Sequence, residues 1–228
     1  MINGLQKTPW DKRTFQIDTY ELQNTDESTL QQTDEIEGHF TVKVDPLADQ
    51  QKLYDYGFYY VDSLIEPRCR KRDLRTFPHQ EVQLASSFNR EKILEIAEST
   101  FEHGRFHRDF NVPNRLADER YMRWVQDLID EKCIYALLYE EKEVGFYGFK
   151  HDSVLLLSIH PDYQGFRLAK PFTSLCVEKQ FGIGYEELKT SISAANVKSL
   201  NLFLQLGFTL RKTLDVYHKL QGVSLKDV

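Results

Sequence analysis

The segment from Val154 to Phe208 constrains the fold more than any other part of the chain. It opens on an apolar run, Val154-Leu155-Leu156-Leu157-Ser158-Ile159, which reads as a buried strand. His160-Pro161-Asp162-Tyr163 turns the chain, and Gln164-Gly165-Phe166-Arg167-Leu168-Ala169 leads into a helical segment. A second strand-like run, Leu188 to Ser193, precedes a second helix that opens at Asn196 and ends at Gly207-Phe208. Backbone N–H groups at a turn feeding a helix N-terminus form an anion site. Cys176 falls on the inner face of the first helix and reads as core, not as a nucleophile.

The elements before this segment read as an antiparallel meander. Val82 to Ala85 is strand-like, Asn89 is a helix N-cap, and Ile93, Leu94, Ile96, Ala97 and Phe101 recur at helical spacing. Phe101 to Pro113 is aromatic and basic with Gly and Pro punctuation, an irregular loop. Asn114 to Ile129 is an amphipathic helix. Cys133 to Tyr139 and Val144 to Phe149 are hairpin partners across a charged turn. After Gly207-Phe208, Thr209 to His218 is a last strand and Gln221 to Val228 a loose tail.

The first 66 residues read as strand, loop, strand, helix, Gly-Phe, strand. Trp10 to Glu21 supplies the first strand. Asp26 to Glu37 is a loop or the start of a short helix, and His39 to Val44 alternates with the period of a half-buried strand. Asp45-Pro46 is expected to open a helix with Leu47, Leu53 and Tyr54 inward, and Gly57 to stop it. Tyr59 to Ile65 returns as a strand, and the basic run Pro67 to Asp73 reads as a solvated linker or a phosphate contact. The expected organisation is an N-terminal unit over 1–75, a main domain over 76–220 and a tail over 221–228.

Composition narrows the function classes. The formal net charge of -6 supplies no broad positive field, which argues against a nucleic-acid binder. Cys69, Cys133 and Cys176 have no Cys-x-x-Cys or metal-ligand spacing, which suggests reduced thiols in a cytoplasmic protein and no metal. The N-terminus lacks the apolar core of a signal peptide, and no run approaches the roughly 20 apolar residues of a membrane span.

The central segment resembles the acyl-coenzyme A binding half of the GNAT N-acyltransferase superfamily. The superfamily's turn, Gln/Arg-x-x-Gly-x-Gly/Ala, is matched by Gln164 and Ala169, while Arg167 replaces its glycine. That side chain either crowds a phosphate or binds it through the guanidinium. A second pattern is matched by Asn196, Ser199, Leu202, Phe203, Gly207 and Phe208. Phe203 stands where the family often places the Tyr that protonates the leaving thiolate, and a phenyl ring cannot donate a proton.

The run Arg105-Phe106-His107 with Asp109, Pro113, Ala117-Asp118, Tyr121 and Trp124, together with Pro9-Trp10-Asp11, resembles the GNAT subgroup that includes TDP-fucosamine acetyltransferase.

The resemblance implies an α+β GNAT fold: a mixed, mostly antiparallel central sheet flanked by helices, with an N-terminal α/β subdomain that is either a degenerate half-GNAT or a plain packed subdomain. It implies acetyl-CoA as acyl donor and a small-molecule primary amine as acceptor, carried on a nucleotide-linked deoxyamino sugar. Donor contacts fall on Ser158, Ile159, Gln164, Gly165, Phe166, Arg167, Leu168, Ala169, Asn196, Ser199 and Phe203. Arg105, His107 and Tyr121 face the acceptor, Tyr217 or His218 replaces the missing acid, and His107 is the base candidate, with a water relay through His107 or His160. No metal is called for, and a homodimer is compatible with sheet edges that pair between subunits. A different amine acceptor, or a non-catalytic binding module, remains open at this point.

Overall fold

The structure is a computed structural model that describes residues 4–101 and 104–226. Two compact units interleave along the chain. Unit 1 draws on residues up to Leu64, the segment ending at Arg120 and residues from Thr213, and unit 2 takes Ile65–Phe101 and Tyr121–Lys212. The units do not follow a single cut near residue 75.

Unit 1 begins with β1 (Leu5–Lys7), α1 (Pro9–Phe15), β2 (Thr19–Leu22), α2 (Glu27–Glu35), β3 (Gly38–Val44) and α3 (Gln51–Asp55). The 12-residue strand β4 (Tyr59–Arg70) starts here and continues into unit 2. Unit 2 continues with β5 (Val82–Ala85), α4 (Arg90–Glu98), the C-terminal part of α5 (Asn114–Asp130) from Tyr121 on, β6 (Ile134–Tyr139), β7 (Lys142–Lys150), β8 (Ser153–Ile159), α6 (Ala169–Phe181), β9 (Glu187–Thr190), β10 (Ile192–Ser193) and α7 (Val197–Gln205). The final strand β11 (Thr209–Gln221) ends in unit 1.

The strand order within unit 1 is β1-β2-β3-β11-β4, and within unit 2 it is β4-β9-β8-β7-β6-β5. β2 with β3 and β8 with β9 are parallel; the other pairs with a resolved register are antiparallel. The fold is therefore α+β with a mixed, mostly antiparallel sheet, as the sequence implied.

Alternation along β8 sends Val154, Leu156 and Ser158 to buried positions. The main core of unit 2 gathers Phe172, Cys176, Val177 and Phe181 from α6 with Leu137, Val144, Tyr147 and Leu188 from the strands. Each such apolar side chain contributes about 1.5–3 kcal/mol on burial. Cys176 is fully buried, and burial pushes its thiol well above the ordinary range, as a core residue requires. Asn89 caps α4 by accepting the Lys92 N–H at 3.1 Å.

Several local expectations are corrected. Trp10 to Phe15 is helical, because Pro9 sits at the helix start where its missing N–H costs nothing, and Phe15 docks fully buried. Of the two alternatives for Asp26 to Glu37 the helix holds, over Glu27–Glu35, with Leu30 and Thr33 buried. Asp45-Pro46 makes a turn in which Asp45 accepts the Leu47 N–H at 2.8 Å, so α3 begins only at Gln51 and Leu47 is 96% exposed. Of the two inward candidates that lie on α3, Leu53 is buried and Tyr54 is exposed.

The basic run is not a linker. β4 extends through Pro67 and pairs Arg68, Cys69 and Arg70 with Lys189, Leu188 and Glu187. The strand expected over Leu188 to Ser193 is broken at Ser191 into β9 and β10. The tail is anchored: Leu225 is fully buried with Phe15, Phe106, Val112 and Leu116. Within the expected loop from Phe101 to Pro113, Glu102 and His103 lie outside the described residues, and Gly104 to Pro113 forms turns.

Candidate active site

In unit 2, β8 and β9 pair only at Ser153 with Lys189 and Val154 with Thr190. β8 runs on to Ile159 without a β9 partner, so the two parallel strands part at their carboxyl ends. In open sheets that is where ligands enter.

The turn after β8 supplies the anion-binding geometry. His160 caps a short helical turn over Pro161–Tyr163, with its Nδ1 accepting from the Asp162 N–H at 3.3 Å. Gly165 then has φ of +92°, and Arg167 takes φ of +62°. Arg167 thus holds the left-handed conformation that a glycine would adopt more cheaply, and the backbone path of the turn survives the substitution. Among the described residues, the N–H groups of Gly165, Phe166, Arg167, Leu168, Ala169 and Lys170 have no hydrogen-bond partner in the protein. They sit at the start of α6, where the helix dipole favours negative charge. Gln164, Gly165, Phe166 and Arg167 are exposed, whereas Leu168 is buried and anchors the turn to the core.

The remaining donor candidates divide by burial. Ser158 is buried, and its Oγ donates to Thr100 Oγ1 at 2.7 Å, so only its backbone is available to a ligand. The Ile159 carbonyl accepts from Gln164 Nε2 at 3.4 Å, tying strand to turn. Asn196 accepts the Ser199 N–H at 3.1 Å and so caps α7. Phe203 is 3% exposed, edge-on to Phe208 at 4.9 Å, and belongs to the core.

Tyr121 also lies in unit 2, stacked on Phe101 at 4.8 Å.

Tyr217, Arg105 and His107 lie in unit 1. The Tyr217 hydroxyl donates to Gln50 Oε1 and stands 3.5 Å from the Tyr54 hydroxyl. Burial, then the Tyr54 hydroxyl, pushes its phenol well above the ordinary range, so it is protonated at neutral pH. His107 is not a solvated loop residue: its ring is 6% exposed, and Nε2 lies 2.9 Å from Asp118 Oδ1 on α5. The Arg105 guanidinium lies 4.8 Å from the centre of the Phe106 ring, and that of Arg120 lies at the same distance.

Unit 1 also assembles a group that sequence reading missed. Asp109 is 1% exposed and its Oδ2 meets His218 Nδ1 at 2.6 Å. His39 Nε2 stands 3.7 Å from the same oxygen. The Tyr59 hydroxyl lies 3.0 and 3.1 Å from the two carboxylate oxygens, and the Asn111 N–H reaches Oδ1 at 2.9 Å. Burial opposes the charge on Asp109, but its contacts with His218 and His39 hold the carboxyl below the ordinary range. Burial, then the adjacent His39, pushes His218 down to about 3. These residues come from β3, a loop and β11, and nothing in their spacing links them. His39 reads in sequence as one position of an alternating strand.

No family model matches the sequence. Among curated proteins, the chain is 21% identical over 175 residues to the spore coat polysaccharide biosynthesis protein SpsD of Bacillus subtilis (strain 168). The match covers 74% of this chain and 61% of that protein, so the chain spans less than two thirds of its relative. Among solved structures, a GCN5-related N-acetyltransferase from Sphaerobacter thermophilus superposes with a TM-score of 0.58 at 10% identity, over 82% of this chain and 61% of that one. One from Kribbella flavida gives 0.58 at 10% identity, over 89% and 81%. A tandem GNAT protein from the clavulanic acid biosynthesis pathway gives 0.54 at 9% identity, over 89% and 75%. At these identities the likeness is one of fold, and the chain has the fold of the GCN5-related N-acetyltransferases.

Proposed function

We propose that the protein transfers an acyl group, in the first instance acetyl, from acyl-coenzyme A to a primary amine. One observation carries the reading: the unengaged N–H groups from Gly165 to Lys170 lie at the start of α6, beside a strand that has parted from its parallel neighbour. That combination suits a pyrophosphate on the turn and an extended amide-bearing arm between the strands. Arg167 is exposed and adds a cation to the turn.

In this reading the backbone of Ser158 and Ile159 orients the thioester carbonyl, and oriented N–H donors stabilise the charge that develops on its oxygen. Asn196 and Ser199, at the start of α7, contact the arm. The amine attacks the thioester carbon, the C–S bond breaks, the thiolate takes a proton and the amine loses one. Phe203 cannot supply that proton, and Tyr217 is the hydroxyl assigned to the task. His107, held by Asp118, is assigned to the amine side with Arg105 and Tyr121.

For the acceptor we infer a nucleotide-linked deoxyamino sugar. The support is the run from Arg105 to Trp124, together with the name of the Bacillus relative, which concerns polysaccharide biosynthesis. Unit 1 is read as a GNAT half without a phosphate turn. A non-catalytic module is the second reading, favoured by the burial of Phe203 where the family's acid stands.

Calorimetric titration with acetyl-CoA tests the donor half, with micromolar binding expected. Thiol release on adding amino-sugar nucleotides, free amino sugars and lysine peptides then tests transfer and ranks acceptors. Binding without thiol release from any amine would support the module, and absence of binding would remove the acyltransferase reading.

A further inference from the structure

We propose that His39, Asp109 and His218 form a binding site for one transition-metal dication, with Zn2+ as the best match. One ligand atom from each residue lies within 4.8 Å of the others, and all three residues are buried. Two imidazoles and one carboxylate are the donor set that borderline dications favour, whereas Mg2+ and Ca2+ prefer oxygen.

The contacts around Asp109 favour a ligand over a simple hydrogen-bonded carboxylate. Its Oδ1 is held by the Asn111 N–H at 2.9 Å, which turns Oδ2 toward both histidines. The Tyr59 hydroxyl touches both oxygens and fixes the plane of the carboxyl group. Outer contacts of this kind orient metal ligands. The two imidazoles meet at 76° with centroids 4.5 Å apart, and the Nε2 atoms of His39 and His218 are buried without a hydrogen-bond partner. A ligand role for His39 Nε2 removes the cost of one of those buried polar atoms.

Three protein donors leave a fourth position. The Tyr59 hydroxyl is the neighbouring group that can fill it or hold a water there. Phe15 and Phe106 pack on the histidine rings at 5.2–5.9 Å and shield the three ligand residues from water. The ion would join β3, β11 and the loop from Gly104 to Pro113, which carries Arg105 and His107. Arg105 bears electrostatically on His218 and opposes a cation; the Asp109 carboxylate offsets it. The proposal does not depend on the acyltransferase reading.

The test uses the full, tag-free chain after dialysis against a chelator. Titration with Zn2+ in competition with a chromophoric chelator should show about one equivalent bound per chain, tighter than micromolar. Co2+ should give the visible bands of a low-symmetry nitrogen and oxygen site. His39→Gln and Asp109→Asn should each weaken Zn2+ binding at least tenfold, while His79→Ala and His151→Ala leave it unchanged. Circular dichroism of each variant separates lost ligation from lost folding. Should both ligand variants unfold, the wild-type stoichiometry and Co2+ spectrum decide alone. Less than about a tenth of an equivalent bound by the wild type, or full binding by a folded His39→Gln, overturns the site.

Discussion

The two units contain the same run of elements. In unit 2 it is β8, α6, parallel β9, α7 and Gly207-Phe208, with the two-residue β10 before α7; in unit 1 it is β2, α2, parallel β3, α3 and Gly57-Phe58. Gly57 and Gly207 both end their helices at positive φ, +75° and +98°. The runs differ at the turn between first strand and first helix. In unit 2 the turn leaves its N–H groups unengaged and carries Arg167. In unit 1 Asn24 Oδ1 accepts from the Asp26 N–H at 3.1 Å and from Thr29 Oγ1 at 2.7 Å, and Asp26 and Glu27 put negative charge at the helix start.

The strands differ too. β2 and β3 stay paired from Thr19 to Glu21, and Lys43 closes on Glu21 at 2.9 Å, whereas β8 leaves β9 after two pairs. The same topology therefore yields one half whose turn carries a cation and one whose turn is pinned by Asn24 and carries carboxylates. Fold alone decides neither.

The sharpest break of this comparison is chemical. Tyr217→Phe should lower kcat by about 100-fold or more while leaving acetyl-CoA affinity unchanged; the loss of its hydrogen bond to Gln50 is read separately as a lower melting temperature. An unchanged kcat in steady-state kinetics would move the acid elsewhere. Next comes a transplant of charge: Arg167→Glu gives the unit 2 turn the sign of the unit 1 turn. Acetyl-CoA affinity by calorimetry should fall by roughly 30-fold or more, about 2 kcal/mol, with little change in melting temperature.

Asn24→Ala should cost about 1 kcal/mol of stability in denaturant titration and leave acetyl-CoA binding alone. Asn196→Ala should cost a similar amount, about 1 kcal/mol, and in addition weaken binding; Asn196→Asp keeps the cap and separates the two effects. If Asn196→Asp binds as the wild type does, capping is the residue's whole role. The smallest effect is expected of Arg167→Gly, which relieves a left-handed arginine and should stabilise the fold by up to about 1 kcal/mol.

Legibility followed the range of the interactions involved. β8, the glycine-bearing turn, α6 and the Asn196 cap are local patterns, and the structure places them as read. Trp10 to Phe15 misled because β-branched and aromatic residues suit a strand, while Pro9 and the docking of Phe15 settle a helix. Asp45-Pro46 misled for a related reason. The Asp45 carboxylate closes on the Leu47 N–H, and a side chain that satisfies a turn competes with helix initiation.

By itself the sequence determined local features of unit 2: that β8 is a strand, that Asn89 and Asn196 cap their helices, and that a turn of this composition precedes α6. Tertiary structure decided what depends on partners far along the chain. The burial of Phe203 and the meeting of His39, Asp109 and His218 each need residues far apart in the chain to pack together. Burial and convergence are properties of that packing, and no local spacing encodes them.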